Sequence, residues 1–410
     1  MKKMISHRPA QRILYYAKFC MIFAGMWRLE LPTKCVFLKR LYVVYSAVLQ
    51  VYFPIFWISI CIQCGIMASN DNSTKSSEEL SQNFSFVIAI LISEIASILW
   101  QQSKGRKLIA YVIKQEKTIL ESNDPAILQC HYDHVQFCKL SNLVLIIFAA
   151  GIGASITLEN YWRRADIRRY NAEKNASVEK PFAMELYYYK LDKEKHATAL
   201  LVINHVSSAL SAMLVTSTKL ICFSCVIFVS SAIKRLQIIF RKISNHGNDA
   251  SSTLHLLVLE HQDLIRFVKN LNDLMKYVIL LDYFLNSLNV ATVSIRLMSF
   301  EAKLISPLFF LSFLFIQIFV LGWGANEIKV QSLALADALY DSTWYEQNDT
   351  AKKALLTMIA RTQRPLFLTI GPFDAMTMES ALKVSFKNAK YSWLTMYGFQ
   401  CRSSKPPIRT

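Results

Sequence analysis

Charge is in short supply in this chain. Only 18% of its 410 residues are charged, where soluble globular chains average about 25%. An apolar surplus goes with the shortage: 53% of residues are hydrophobic and the mean hydropathy is +0.28. The apolar residues fall in blocks, which points to membrane spans rather than one large soluble core. Acid is scarcer than base, 29 residues against 46, for a net charge of +17. The basic residues flank the apolar blocks and form no single stripe interleaved with aromatics. That pattern argues against nucleic acid as a partner and matches the cytoplasmic flanks of membrane spans.

Chemistry-bearing motifs are missing as well. There is no hydrolase elbow, phosphate-binding loop, zinc-ligand spacing or dinucleotide fingerprint, so neither an enzyme nor a cofactor or metal site is expected. Neither long polar loop, 68–82 or 159–197, contains cysteine, which argues against a disulfide framework. Cys61-x-x-Cys64 and Cys222-x-x-Cys225 sit inside apolar runs without histidine or further cysteine at ligand spacing. They read as small packing residues. Near the N-terminus Arg8, Arg12 and Lys18 interrupt any apolar core and no small-residue cleavage site follows, so the first span is expected to act as its own insertion signal. Glycine and proline number ten each, and no matching pair of broken spans gives the internal symmetry of a transporter.

What is present is a series of apolar stretches set off by basic ones. Residues 1–40 carry nine basic residues against the single acid Glu30, which places this segment in the cytosol. Within it, Ile13 to Met26 reads as a short helix along the membrane surface. Spans are expected at Leu41–Met67, Phe84–Trp100, Leu140–Leu158, Thr198–Ile233, Tyr277–Met298 and Leu304–Gly324. Outer loops then fall at 68–82 and 159–197, with sequons at Asn72 and Asn175 as glycosylation sites. Residues 234–276 read as a cytosolic helical extension, with Leu254, Leu257, Val258, Leu264, Ile265 and Val268 at helical spacing. Residues 325–379 are amphipathic and too charged to span.

Three ionisable residues lie well inside spans: Glu94, Lys219 and Asp282. Such charges face the protein interior or water, so they read either as a network beside an ion path or as a structural pairing. His261, alone in a helical stretch, reads as a packing residue.

The C-terminal quarter carries ordered motifs: Gly324…Glu327…Ser332, Ala338…Tyr340…Trp344-Tyr345, Arg361…Gln363…Pro365 and Ser392-Trp393-Leu394-Thr395-Met396. This succession resembles the C-terminal region of insect odorant receptors. There the pattern reads roughly Gly-x-Glu-x-x-x-x-Ser, Ala-x-Tyr-x-x-x-Trp-Tyr, Arg-x-Gln-x-Pro and Ser-Tyr-Phe-Thr-Leu. One extra residue separates Gly324 from Glu327 here.

The resemblance implies an all-α membrane protein with seven transmembrane helices, a cytosolic N-terminus, an outer C-terminus and cytosolic helical extensions forming an anchor. It supplies the seventh span, 380–400, whose lysines leave it undecided by hydropathy, and an outer tail at 401–410. Lys383, Lys387 and Lys390 share one face of that helix, and Ser392, Met396 and Gln400 share another about 120° away. The family's subunits assemble as tetramers around a cation pore lined by this helix, so Ser392, Met396 and Gln400 are expected at the pore, with Met396 as a dewetting gate. A small volatile is expected in an apolar pocket in the outer halves of spans two, three, four and six, near Ile88, Leu91, Gly151, Ser155, His205, Ser208 and Phe309. The resemblance also implies a heterotetramer with the odorant-receptor co-receptor. That partner carries a long insertion between spans four and five, and the short 234–276 here marks this chain as the odorant-binding subunit. A metabotropic seven-span receptor would show an acidic-Arg-aromatic triplet after span three and Asn-Pro-x-x-Tyr in span seven, and neither is present. A gustatory receptor would end its last helix in Gln-Phe, whereas this chain has Phe399-Gln400.

Overall fold

A computed structural model describes residues 12–29, 35–69, 74–122, 124–174, 182, 186–187, 195–243, 250–298, 305–342, 344–346, 349–373, 375–380 and 383. Among these, helix accounts for nearly everything. The order is α1 Tyr15–Phe23, α2 Val36–Ser69, α3 Thr74–Gln101, α4 Ser103–Glu121, α5 Pro125–Lys174, α6 Ala197–Ile243, α7 Ala250–Met298, α8 Ile305–Tyr340, a 3-10 turn Trp344–Glu346, and α9 Asp349–Thr362. An isolated antiparallel bridge joins Thr369 to Ala375.

The helices are long for a reason written in the sequence. Glycine and proline are absent between Ala154 and Lys174, so α5 runs on past the apolar stretch. The first part of the expected outer loop, 159–174, is therefore helix, built from good helix formers such as Arg, Ala and Glu. At 50 residues, α5 is about 75 Å long, more than twice the ~30 Å of a hydrocarbon core. In the same way the extension at 251–276 and the fifth expected span form one helix, α7.

Among the described residues, five helices are long and apolar enough to cross a membrane: α2, α3, α5, α6 and α8. The expected fifth span in α7 is not among them. Its hydropathy is lowered by Asp282, Asn286 and Asn289, spaced i, i+4 and i+7, and both asparagines are buried. One polar stripe thus faces the bundle interior. The seventh expected span, with Ser392, Met396 and Gln400, lies outside the described residues, as do Asn72 and Asn175.

The core is organised around α6. Of its most apolar window 78% is buried, against 22% for α2 and for α5. It packs on α8, α5, α1, α3 and α7. Gly324 of α8 permits a close approach to α6, since a Cβ there would stand 2.9 Å from Val226 Cγ1. By contrast α2 presents Val44, Val48, Val51, Ile55, Ile58 and Ile62 outward. Spaced by three or four residues, they form the apolar stripe that lipid would cover.

At the α4 end of the bundle the packing becomes polar and more specific. α1 buries Ala17, Cys20 and Met21 and exposes Phe19 and Phe23. The backbone N–H of Ile13 donates to Glu116 Oε1 at 2.8 Å, and His131 Nε2 stands 3.8 Å from the same oxygen. Burial pushes the Glu116 carboxyl up to about 7, against the lowering effects of the Ile13 hydrogen bond and the Arg12 charge. Arg235 pairs with Glu260, and Lys242 with Asp124. The segment after α9 is tied to α7 and α8: Leu366 N–H donates to Ser332 Oγ, Thr369 N–H to Asn272 Oδ1, and Gly371 N–H to the Lys276 carbonyl.

Candidate ligand cavity

The helices that the fold brings side by side enclose a cavity of about 180 Å³. Its wall comes from α3, α5, α6, α7 and α8. Most of the lining is apolar, with Phe86, Ile90, Ile152, Val215, Leu285 and Phe313 among the contributors. A smaller cavity of about 50 Å³ lies next to it.

Four residues line both cavities: Ser93, Lys219, Asp282 and Gln317. Every helix gives the same order. The larger cavity takes residues 85–93 of α3, 208–219 of α6, 282–293 of α7 and 307–317 of α8. The smaller takes 92–96, 218–223, 275–282 and 317–321 of the same helices. The four shared residues thus form a polar floor to the larger cavity, on the side of α4 and α9.

At that floor Lys219 Nζ donates to both carboxylate oxygens of Asp282, at 2.5 and 2.6 Å. The two side chains keep about a fifth of their surface exposed. Gln317 Nε2 donates to Asn286 Oδ1 at 3.3 Å. Of the three charges foreseen inside spans, Lys219 and Asp282 pair with each other, and Glu94 Oε2 accepts from Trp57 Nε1 at 2.9 Å. Among the described residues no group of three His, Cys, Asp or Glu stands close enough to hold a metal ion.

The seven residues expected at a ligand pocket divide unevenly. Ser208 lines the cavity. Ile88 and Leu91 are half-buried against the core, while Ala89 and Ile90 beside them reach the cavity wall. Gly151 meets Phe309, whose ring would lie 3.4 Å from a Cβ there, and the wall is made instead by Ile152, Gly153 and Phe310. Ser155 Oγ is turned onto the Ile152 carbonyl, and His205 Nδ1 stands 2.6 Å from the Leu201 carbonyl. Around α3, α5 and α8 the cavity wall is made by immediate neighbours of the expected residues, about 100° around each helix, and α7 adds a further side. Asp282, Asn286, Asn289 and Gln317 complete the wall without having been foreseen there as ligand contacts. Their signal in the sequence is polar spacing within apolar helices.

The same arrangement of helices is found in solved relatives. The structure of the insect olfactory receptor OR5 from Machilis hrabei in complex with eugenol superposes with a TM-score of 0.74, at 17% identity, over 93% of this chain and 97% of that one. Its eugenol-free counterpart gives 0.73 at 16% identity. Among curated sequences, Odorant receptor 10 of Aedes albopictus is 31% identical over 166 residues, and Odorant receptor Or2 of Anopheles gambiae 28% identical over 186. Those alignments span 44% and 48% of the relatives' own lengths, and 40% and 42% of this chain. The family model of the 7tm odorant receptors matches residues 76–385, three quarters of the sequence, and the chain belongs to that family.

Proposed function

We propose that this chain is the odorant-binding subunit of a heteromeric, odorant-gated cation channel in the plasma membrane of olfactory neurons. The observation that carries the reading is the mostly apolar cavity of about 180 Å³ among α3 and α5–α8, in a chain of this family. A cavity of about 150 Å³ holds a benzene ring, so this one suits a small volatile of one ring or an equivalent chain. The odorant-receptor co-receptor supplies the other subunits. The last helix lines the pore, with Met396 as the gate and Ser392 and Gln400 on the same face. Asn72 and Asn175 carry glycans on the outer side. Displacement at the cavity floor reaches the gate through α7 and α8, which run on toward the α4 end.

Whole-cell current tests this directly. Cells expressing the chain with and without an odorant co-receptor are exposed to a broad volatile panel while G-protein signalling is blocked. A cation current that requires the co-receptor is the expected result. A response abolished by the block would overturn the channel mechanism in favour of a metabotropic one.

A further inference from the structure

A glycine inside a helix is destabilising relative to alanine, so its presence there calls for a reason. On α8 the reason is packing, because a Cβ at Gly324 would stand 2.9 Å from Val226 Cγ1. On α5 a Cβ at Gly151 would meet the Phe309 ring at 3.4 Å. Gly153, two residues on, is different. Among the described residues, nothing packed against it lies within 4 Å of where its Cβ would be. Its φ is not in the left-handed region, so the backbone does not require glycine either. Gly65 of α2 also adjoins open space, but it is exposed beside Ile62 and Ile66 and belongs to neither cavity wall. Gly153 is half-buried and forms part of the wall of the larger cavity. Ala149, Gly153 and Ile156 line that cavity at i, i+4 and i+7. They share one face of α5, so a side chain at 153 would point into the cavity. Gly151 lies about 160° away around the helix.

Resting on the odorant-binding reading above, we propose that position 153 sets the size limit of the ligand site. The apolar body of the ligand fills the space that a side chain would take at Gly153, and the missing side chain is what admits it. The helix gives up some stability to keep that space open. The class of ligand follows from the volume. A cavity of about 150 Å³ holds a benzene ring, and this one, at about 180 Å³, has room for the ring and an arm of about two carbons. Each CH₂ of the arm that is buried tightens binding about four-fold. The gain stops where the arm meets the wall, since forcing an extra carbon into filled space is unfavourable. A methyl group at 153 brings that limit closer by about one carbon.

The test uses binding to the purified full chain, so that it does not depend on channel opening. Dissociation constants are measured by concentration-dependent thermal stabilisation for benzene, toluene, ethylbenzene, propylbenzene and butylbenzene. In the parent, affinity is expected to rise along the series to an optimum near ethylbenzene and then to fall. In Gly153→Ala the optimum is expected at a shorter arm, with ethylbenzene bound about ten-fold more weakly and benzene within about two-fold of the parent. Gly153→Val is expected to shorten it further. Gly151→Ala, on the other side of the helix, is expected to leave the optimum where it is. The ligand-free unfolding midpoint of Gly153→Ala is expected to rise by about 1–2 °C, because a helical glycine is replaced in open space. Stability and binding of the larger ligands then move in opposite directions, which a packing role for Gly153 would not produce. An optimum unchanged in Gly153→Val would overturn the proposal, as would a lower midpoint in Gly153→Ala. Failure of every member to bind the parent would overturn this inference together with the ligand cavity itself. Size-selective binding that follows residue 153, without odour-evoked current, would leave this inference standing and sink the channel reading instead.

Discussion

The backbone N–H of Leu366 donates to Ser332 Oγ at 3.0 Å, and both residues are buried. Ser332 ends the first of the motifs in the C-terminal quarter, and Leu366 follows the proline that ends the third. The two motifs therefore meet in space across 34 positions of sequence. Ser332→Ala leaves a buried amide without a partner, a loss of about 1–3 kcal/mol. Thermal unfolding of the purified protein in detergent is expected to fall by several degrees. An unchanged midpoint would show that water reaches the Leu366 amide.

Lys219 and Asp282 behave as a unit. Breaking a buried ion pair from one side costs about 3–5 kcal/mol, because the other charge is left uncompensated. The pair here is about one-fifth exposed, so the lower end of that range applies. Lys219→Met alone and Asp282→Leu alone are each expected to destabilise clearly. The double variant is expected to recover most of the loss, since neither charge remains. The measurement is a double-mutant cycle on unfolding midpoints, and additive losses would mean that the two charges do not interact.

Hydropathy reads α2, α3, α5, α6 and α8 directly, because each carries an apolar window with little charge. It underrates α7, because Asp282, Asn286 and Asn289 turn inward to the cavity, and a window average cannot see direction. The motif residues of the C-terminal quarter are legible for a different reason. Gly324 lets α6 and α8 touch, and Ser332 holds the segment after Pro365. Each role needs that residue type. The cavity wall is less legible: Ile88 and Ala89, or Phe309 and Phe310, differ by about 100° around their helices. Both are apolar, and only the packing of five helices decides which one faces in. The extent of α5 was hidden by composition, since a charged, aromatic-rich stretch suits a loop as well as an exposed helix.

Gly371 is held in the left-handed region, with φ at +62°, against α7. A Cβ there would stand 2.7 Å from Leu280 Cδ2. Gly371→Ala thus meets two costs, about 1 kcal/mol for the backbone and a steric clash besides. Adding Leu280→Ala is expected to relieve the clash and leave the backbone cost. The cycle should give a favourable coupling of about 0.5–2 kcal/mol in unfolding free energy. A coupling of zero would place the whole penalty in the backbone.

Stability should depend on pH in two opposite ways at the α4 end of the bundle. Glu116 titrates at about 7 in the fold, because it is buried, against 4.5 for an ordinary glutamate. Below pH 4.5 both folded and unfolded chains hold the proton and the burial costs nothing. Between 4.5 and about 7 the unfolded chain releases its proton first, so stability falls as pH rises, by about 3 kcal/mol in all. Above 7 the loss is complete. His261 works the other way: burial, and then the charge of Arg361, lower it to about 4 from 6.5. Its share of stability is whole above pH 6.5 and is lost as pH falls towards 4. Glu116→Gln keeps an oxygen for the Ile13 amide and removes the titration. It is expected to match the parent near pH 4.5 and to exceed it above pH 7. His261→Leu is expected to gain on the parent only as pH falls below 6.5. Chemical denaturation of both variants at pH 5 and pH 8 separates the two effects, and a pH-independent difference for Glu116→Gln would show that the carboxyl is solvated in the folded chain.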